Sequence, residues 1–221
     1  MGRILQKLQK LNLVDDTLVI YTADHGWNAG HHGVWGKGNG TIPLNMYEES
    51  LRVPLIWNHP GHIAPGGAIQ GLVSSYDFFH TILDYVGIEV PKSSRRVGRS
   101  YLPLLRGQKT SWRDRLYFEY ACMRAVRTER FKYIERTDNW PSELYDLVND
   151  PHETRNVIDN SEYRSTREHL RHDLASYFHA AGAPPLSEWR STTVQHLPSE
   201  TQLMGPSAVL QGSGLAVSKT P

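Results

Sequence analysis

Thr17-Leu-Val-Ile-Tyr-Thr22, followed at once by Ala23-Asp24-His25-Gly26, decides the fold reading of this 221-residue sequence. The run is rich in β-forming residues and lacks polar alternation, which predicts a strand covered on both faces, as in a parallel sheet with flanking helices. Upstream, Ile4, Leu5, Leu8 and Leu11 recur at helical spacing with Gln and Lys between them, predicting an amphipathic helix over 2–12 that Asp15-Asp16 then turns into the strand. Helix and strand together make half of an α/β unit. Downstream, residues 24–46 are too polar and glycine-rich for a regular element. A long loop directly after such a strand is where open α/β sheets place their ligands.

Further out, Leu51–Trp57 reads as a second buried strand and Leu72–Ser74 as a short third. Asp77–Val86 reads as a helix with Phe79, Ile82, Leu83 and Val86 on one face and Gly87 as its stop. Residues 91–115, rich in Arg, Ser and Gly, read as a linking stretch. The texture then changes. Leu116–Tyr120, Met123–Thr128, Phe131–Arg136 and Glu143–Leu147 are short aromatic and β-branched runs with turn-length gaps, the pattern of an antiparallel meander. Tyr163–Ala181 predicts a helix whose Tyr163, Leu170, Leu174, Tyr177, Phe178 and Ala181 pack on that meander. From Leu186, Ser, Thr, Gly and Pro dominate, and a poorly ordered tail is expected. The expected division is therefore an α/β part over 1–115, a small α+β subdomain over 116–185 and a tail over 186–221.

Composition excludes several classes. With 24 Lys+Arg against 23 Asp+Glu, the formal charge is +1, leaving no broad electrostatic footprint for nucleic acid or an anionic membrane. Any anionic partner must be met at a focused site. A lone Cys122 excludes an intramolecular disulfide framework and a cysteine-built zinc site. The longest apolar runs, such as Leu18–Tyr21 and Val53–Trp57, fall far short of the roughly 20 residues that span a bilayer. The N-terminal stretch lacks the continuous apolar core of a secretory signal, and no compartment is assigned.

Chemistry concentrates between Asp24 and Lys37. Asp24 and His25 stand at the carboxyl end of the predicted strand, where a bend at Gly26 lets a carboxylate oxygen and an imidazole nitrogen face one point as a metal-ligand pair. Read without a ligand, the same pair is a turn or capping element. Lys37 lies past a glycine-punctuated loop able to fold back over the strand end, bringing a compact cation toward an anion held there. A sulfate or phosphate ester suits that combination. His31 and His32 could act on a bridging or leaving oxygen, since histidine titrates near working pH. Elsewhere the bland readings prevail: Glu48-Glu49 as a solvated turn or helix start, His80 as packing, and Cys122 as structural. Ser50, Ser74 and Ser75 lack the Gly-x-Ser-x-Gly setting of a nucleophile elbow.

These residues carry a resemblance. Thr17–Gly26, then Gly30-His-His-Gly-Val-Trp-Gly-Lys37, then Met46–Ile56, Asp77–Gly87, Met123–Tyr133 and Glu143–Asn156, in that order, resemble the C-terminal portion of the sulfatase family within the alkaline phosphatase-like superfamily. The resemblance runs from about residue 4 to 180. It implies part of a mixed or parallel sheet flanked by helices, followed by a small antiparallel sheet with a packed helix. It places Asp24 and His25 as the second pair of ligands to a divalent metal, calcium in most sulfatases, with manganese or zinc for phosphate-ester relatives. It makes Lys37 the lysine that contacts the sulfate group, gives His32 a place in the catalytic loop and leaves Arg52 as structural. The implied activity is hydrolysis of sulfuric esters, with a sulfated small molecule or glycan as substrate. Phosphodiester or phosphonate ester hydrolysis and a non-catalytic binding role are the alternatives. The family's nucleophile, a Cys or Ser in Cys/Ser-x-Pro-x-Arg converted to formylglycine, has no counterpart here, nor has its first acidic metal pair. The isolated chain is therefore expected to be inactive and marginally stable.

Overall fold

The computed structural model of the chain describes residues 1–90, 97–137 and 140–188. Helix α1 (Gly2–Lys10) leads through a turn to strand β1 (Val19–Thr22), close to the predicted bounds. The glycine-rich stretch is not featureless. Strands β2 (Asn28–Ala29) and β3 (Trp35–Gly36) form a miniature antiparallel hairpin around a single 3-10 turn at His31–Gly33. A one-turn helix α2 (Glu48–Leu51) and strand β4 (Leu55–Asn58) follow.

Three expectations need correction here. β1 pairs antiparallel with β4, Ile20 opposite Trp57, and among the described residues no second strand lies on its other side. Tyr21 is accordingly half exposed instead of covered on both faces. The strand expected over Leu51–Trp57 starts only at Leu55, because α2 occupies its first residue and Pro54 has no N–H for a ladder. Leu72–Ser74 forms no strand at all; Leu72 O accepts from Trp112 Nε1 at 2.8 Å, and Ser74 turns into a helix cap.

Helix α3 (Ser75–Tyr85) opens with a capping box: Ser74 Oγ accepts from the Tyr76 N–H, and Asp77 Oδ2 takes the Ser74 N–H at 2.8 Å. Phe79 and Val86, expected on a buried face, remain exposed, whereas Asp77 and Thr81 are fully buried. The supposed linker carries core as well. Tyr101, at the start of the one-turn helix α4 (Leu102–Leu105), is buried and takes the Trp57 Nε1–H on its hydroxyl at 3.1 Å. Burial outweighs that bond and pushes its phenol up to about 12.

The meander is present as read. Strands β5 (Arg115–Tyr120), β6 (Met123–Thr128), β7 (Phe131–Arg136) and β8 (Glu143–Asp146) pair antiparallel in sequence order. Alternation decides its two faces. Val126, Tyr133 and Leu144 point to helix α5 (Arg164–Ala180), whose Leu170, Leu174 and Phe178 recur every fourth residue. Met123, Ala125, Ile134 and Tyr145 point the other way, onto Leu44 and Met46. The sheet is therefore a wall with α5 behind it and the end of the glycine-rich loop in front. Cys122 is buried in that front cluster. Leu186, at the head of the expected tail, is buried; the remainder of that tail, 189–221, lies outside the described residues. None of the described helices is long and apolar enough to cross a membrane.

Candidate active site

The end of β1 is pressed against the backbone of α2. The Gly26 N–H donates to Ser50 O at 3.0 Å, and a Cβ on Gly26 would collide with the Glu49 carbonyl oxygen and lie 2.9 Å from Arg52 O. Only glycine fits, and the bend it permits turns Asp24 and His25 outward. The β2–β3 register, Asn28 opposite Gly36, then returns Lys37 to the same point. Lys37 Nζ donates to His25 Nε2 at 3.0 Å, and Asp24 Oδ2 lies 3.5 Å from that nitrogen. His25 Nδ1 in turn donates to Gly26 O at 2.8 Å. Asp24, His25 and Lys37 are thus brought together. His32 is not part of that trio. Its ring stacks on Tyr47 at 3.7 Å and its Nε2 lies 3.3 Å from Glu49 Oε2.

Behind the trio stands a set of side chains that sequence reasoning missed. Buried Asn28 donates from Nδ2 to Gly36 O at 3.1 Å and to Ser50 Oγ at 2.8 Å. Ser50 Oγ donates to Asn45 Oδ1 at 2.7 Å, and Asn45 Nδ2 donates to Thr41 Oγ1 at 2.8 Å. Through Ser50 this relay reaches Gly26, and through Gly36 it reaches the residue before Lys37.

The loop is also tied to the sheet. Lys132 and Arg136, on the same face of β7, donate to Met46 O at 2.6 Å and Leu44 O at 2.9 Å. The buried Lys132 ammonium is neutralised by Glu153 at 2.5 Å and by Glu48 at 3.2 Å, while Arg127 holds the other Glu48 oxygen at 3.2 Å. Glu153 Oε2 also takes the Glu48 N–H at 2.6 Å, satisfying the start of α2. Burial raises the Glu48 carboxyl, but Lys132 and then Arg127 outweigh it and hold the group below its ordinary 4.5. For Glu153 burial wins over Lys132, and the carboxyl is pushed up. Glu48 is therefore no solvated turn residue. A signal existed: Lys132 falls at an inward register position of an alternating strand, where a charge requires a partner.

Of the trio, Asp24 and His25 carry donor atoms of the kind a metal takes, whereas the Lys37 ammonium has none. With Nδ1–H committed to Gly26 O, the His25 Nε2 lone pair faces the Asp24 carboxylate, the tautomer that a ligating imidazole needs. Lys37 shows that a cationic group is welcome on that lone pair. Two donors fall short of the four that zinc takes or the six to eight of calcium. Among the described residues no group of three His, Cys, Asp or Glu side chains could hold a metal. Beside Asp24 opens a cavity of about 990 Å³ lined by Thr22, Arg52, Ser74, Phe78, Tyr101 and Arg127 among others.

With the geometry in place, likeness to known proteins assigns the class. The family described as N-sulphoglucosamine sulphohydrolase, C-terminal, matches residues 30–179, and the chain belongs to it. Among its relatives, an N-acetylglucosamine-6-O-sulfatase of Bacteroides thetaiotaomicron is 34% identical over 184 residues, which are 76% of this chain and 31% of that protein. The structure of a protein in complex with its substrate D-glucosamine-2-N,6-O-disulfate superimposes with a TM-score of 0.74 at 30% identity, covering 85% of this chain and 39% of the other. A phosphonate monoester hydrolase of Agrobacterium radiobacter gives 0.68 at 30% identity, with coverages of 81% and 38%. The chain spans about a third of the length of the curated relatives it matches.

Proposed function

We propose that this chain carries the second metal-ligand pair and the sulfate-contacting cation of a metal-dependent, formylglycine-type sulfuric ester hydrolase. The observation that carries this reading is the meeting of Asp24, His25 and Lys37, drawn from two ends of one loop, at the end of β1. Asp24 and His25 would hold the metal, with calcium as the first ion to test. That ion would polarise the ester's sulfate oxygens. Lys37 would leave His25 Nε2 and place its ammonium on a sulfate oxygen, stabilising charge that builds as the S–O bond to the leaving group breaks. His32, oriented by Glu49 and Tyr47, would meet the leaving oxygen as a hydrogen-bond donor. No Cys/Ser-x-Pro-x-Arg sequence occurs in the 221 residues, so the chain by itself is expected not to turn over. The substrate class is a sulfated small molecule or glycan. D-Glucosamine-2-N,6-O-disulfate, which the similar protein binds, is the first compound to test.

A second reading, a phosphonate or phosphodiester hydrolase, is favoured by the imidazole donor, which suits manganese or zinc, and by the likeness to the phosphonate monoester hydrolase. Calorimetric titration of the chain with calcium and with manganese, each with sulfate and with methylphosphonate, separates the two. Under the sulfatase reading calcium, given only two protein donors, is held measurably only together with sulfate, D24A abolishes that coupling, and K37A weakens sulfate by roughly tenfold to a hundredfold, the worth of about one charge-assisted hydrogen bond. Preference for manganese with methylphosphonate would move the assignment to the second reading. Undiminished sulfate binding in K37A, or aryl sulfate turnover by the chain alone, would overturn the first.

A further inference from the structure

A second, smaller cavity of about 300 Å³ lies on the α5 side of the first, sharing Ser74 and Leu116 with it as lining residues. Its polar wall is made by Arg99, Arg113 and Arg115 and its aromatic wall by Tyr76, Tyr117 and Tyr177. The three arginines are not equivalent. Arg113 is paired with the buried Asp77 at 2.6 Å, and Arg115 lies between Asp114 and Asp173. The guanidinium of Arg99 lies over the Trp112 ring, 3.9 Å from its centroid, and among the described residues it has no carboxylate within ion-pair distance. Its backbone N–H is fixed on Asp77 Oδ1 at 3.0 Å, so the stacked side chain is held at both ends.

Asp77 spends its oxygens on Ser74 N–H, Arg99 N–H and the Arg113 guanidinium. Arg113 also stands beside Trp112, 5.2 Å from the ring centroid, so two guanidinia flank one indole. Partial burial and then the neighbouring Arg113 hold the exposed Arg99 guanidinium below its ordinary 12.5, with Asp77 pulling the other way. A stacked guanidinium keeps its N–H edge free and presents it as a planar fork, the geometry that suits a sulfate or carboxylate. In the same lining, Tyr117 and Tyr177 stack at 3.7 Å with rings 7° apart, making a flat double-aromatic surface. The Tyr117 hydroxyl is committed to Asp173 at 3.2 Å, while Tyr76 is largely exposed beside Tyr177. A cavity lined by both a guanidinium fork and an aromatic plane suits a pyranose ring that carries an acidic group, with the ring's C–H face on tyrosine and its anion on arginine.

We propose that this cavity is a subsite for an acidic sugar unit, sulfated or uronic, with Arg99 as its anion-binding residue. The inference deepens the proposed function and rests on it, since the shared wall of Ser74 and Leu116 would let one oligosaccharide occupy both cavities. The test is calorimetry and indole N–H NMR on the 221-residue chain with glucosamine 6-sulfate, glucuronate, unsubstituted glucosamine and inorganic sulfate. Expected are binding of both acidic sugars with a shift of the Trp112 Nε1–H signal, at least tenfold weaker binding of glucosamine and of inorganic sulfate, and at least tenfold loss in R99A. R99K, which keeps the charge but loses the fork, is expected to fall between. K37A should leave the Trp112 shift intact, whatever it does to binding at the first site, so the two proposals fail separately. An unchanged affinity in R99A, or disappearance of the Trp112 shift in K37A, would overturn the subsite.

Discussion

At the residue scale the site depends on one position without a side chain. Gly26 lets β1 end hard against α2, and its N–H on Ser50 O fixes where Asp24 and His25 begin to turn. Gly26→Ala would force the two backbones apart, and overpacking of this kind costs about 1–3 kcal/mol. The expected outcome is a lower urea midpoint together with weakened sulfate binding; an alanine variant equal to wild type in both would show that the contact is not tight. Asp24, His25 and Lys37 were legible in the sequence because their chemistry is concentrated in fourteen residues punctuated by glycine. Asn28, Asn45 and Ser50 were not, because neutral hydrogen-bonding side chains leave no spacing signature, and their partners are fixed only by the fold. Glu48 and Glu49 do start a helix, but a glutamate beside another glutamate looks solvated until Lys132, far along the chain, is brought to it.

At the scale of elements, the same sequence logic succeeded and failed for one reason. The meander was legible almost to the residue, since each strand finds its partner next door across a short turn. The β1 run was read as doubly covered because a continuous apolar stretch signals burial but cannot say what covers it. In the structure it is one half of a two-stranded ribbon with β4, and an isolated pair of strands is marginal in water. Native-state hydrogen exchange should therefore divide the molecule. The amides of Ile20 and Thr22 are expected to exchange at least a hundredfold faster than those of Ala125 and Val126, which sit on the central strand β6 with no exposed surface. Equal protection would mean that the ribbon shares the sheet's cooperativity.

For the whole molecule, one long-range tie is electrostatic. Glu48 joins the loop to the sheet through Lys132 and Arg127, and its carboxyl is held below the ordinary glutamate value. The sign follows from linkage: a depressed folded-state pKa gives stability that is present above the unfolded value of about 4.5 and is lost as pH falls through the folded one. Near neutral pH, E48Q is expected to cost about 1–3 kcal/mol, the worth of hydrogen bonds to charged groups. The gap between wild type and E48Q, read from urea midpoints, should close as the solution is acidified below about 4.5. A gap constant with pH would remove Glu48 from the tie.

The same tie sets an order of events during synthesis. Lys132 meets Met46 across 86 positions of chain, and Arg136 meets Leu44 across 92. A ribosome therefore releases the loop bearing Lys37 long before it makes the sheet residues that brace it, and until then the loop has only the hydrogen bonds among its own residues.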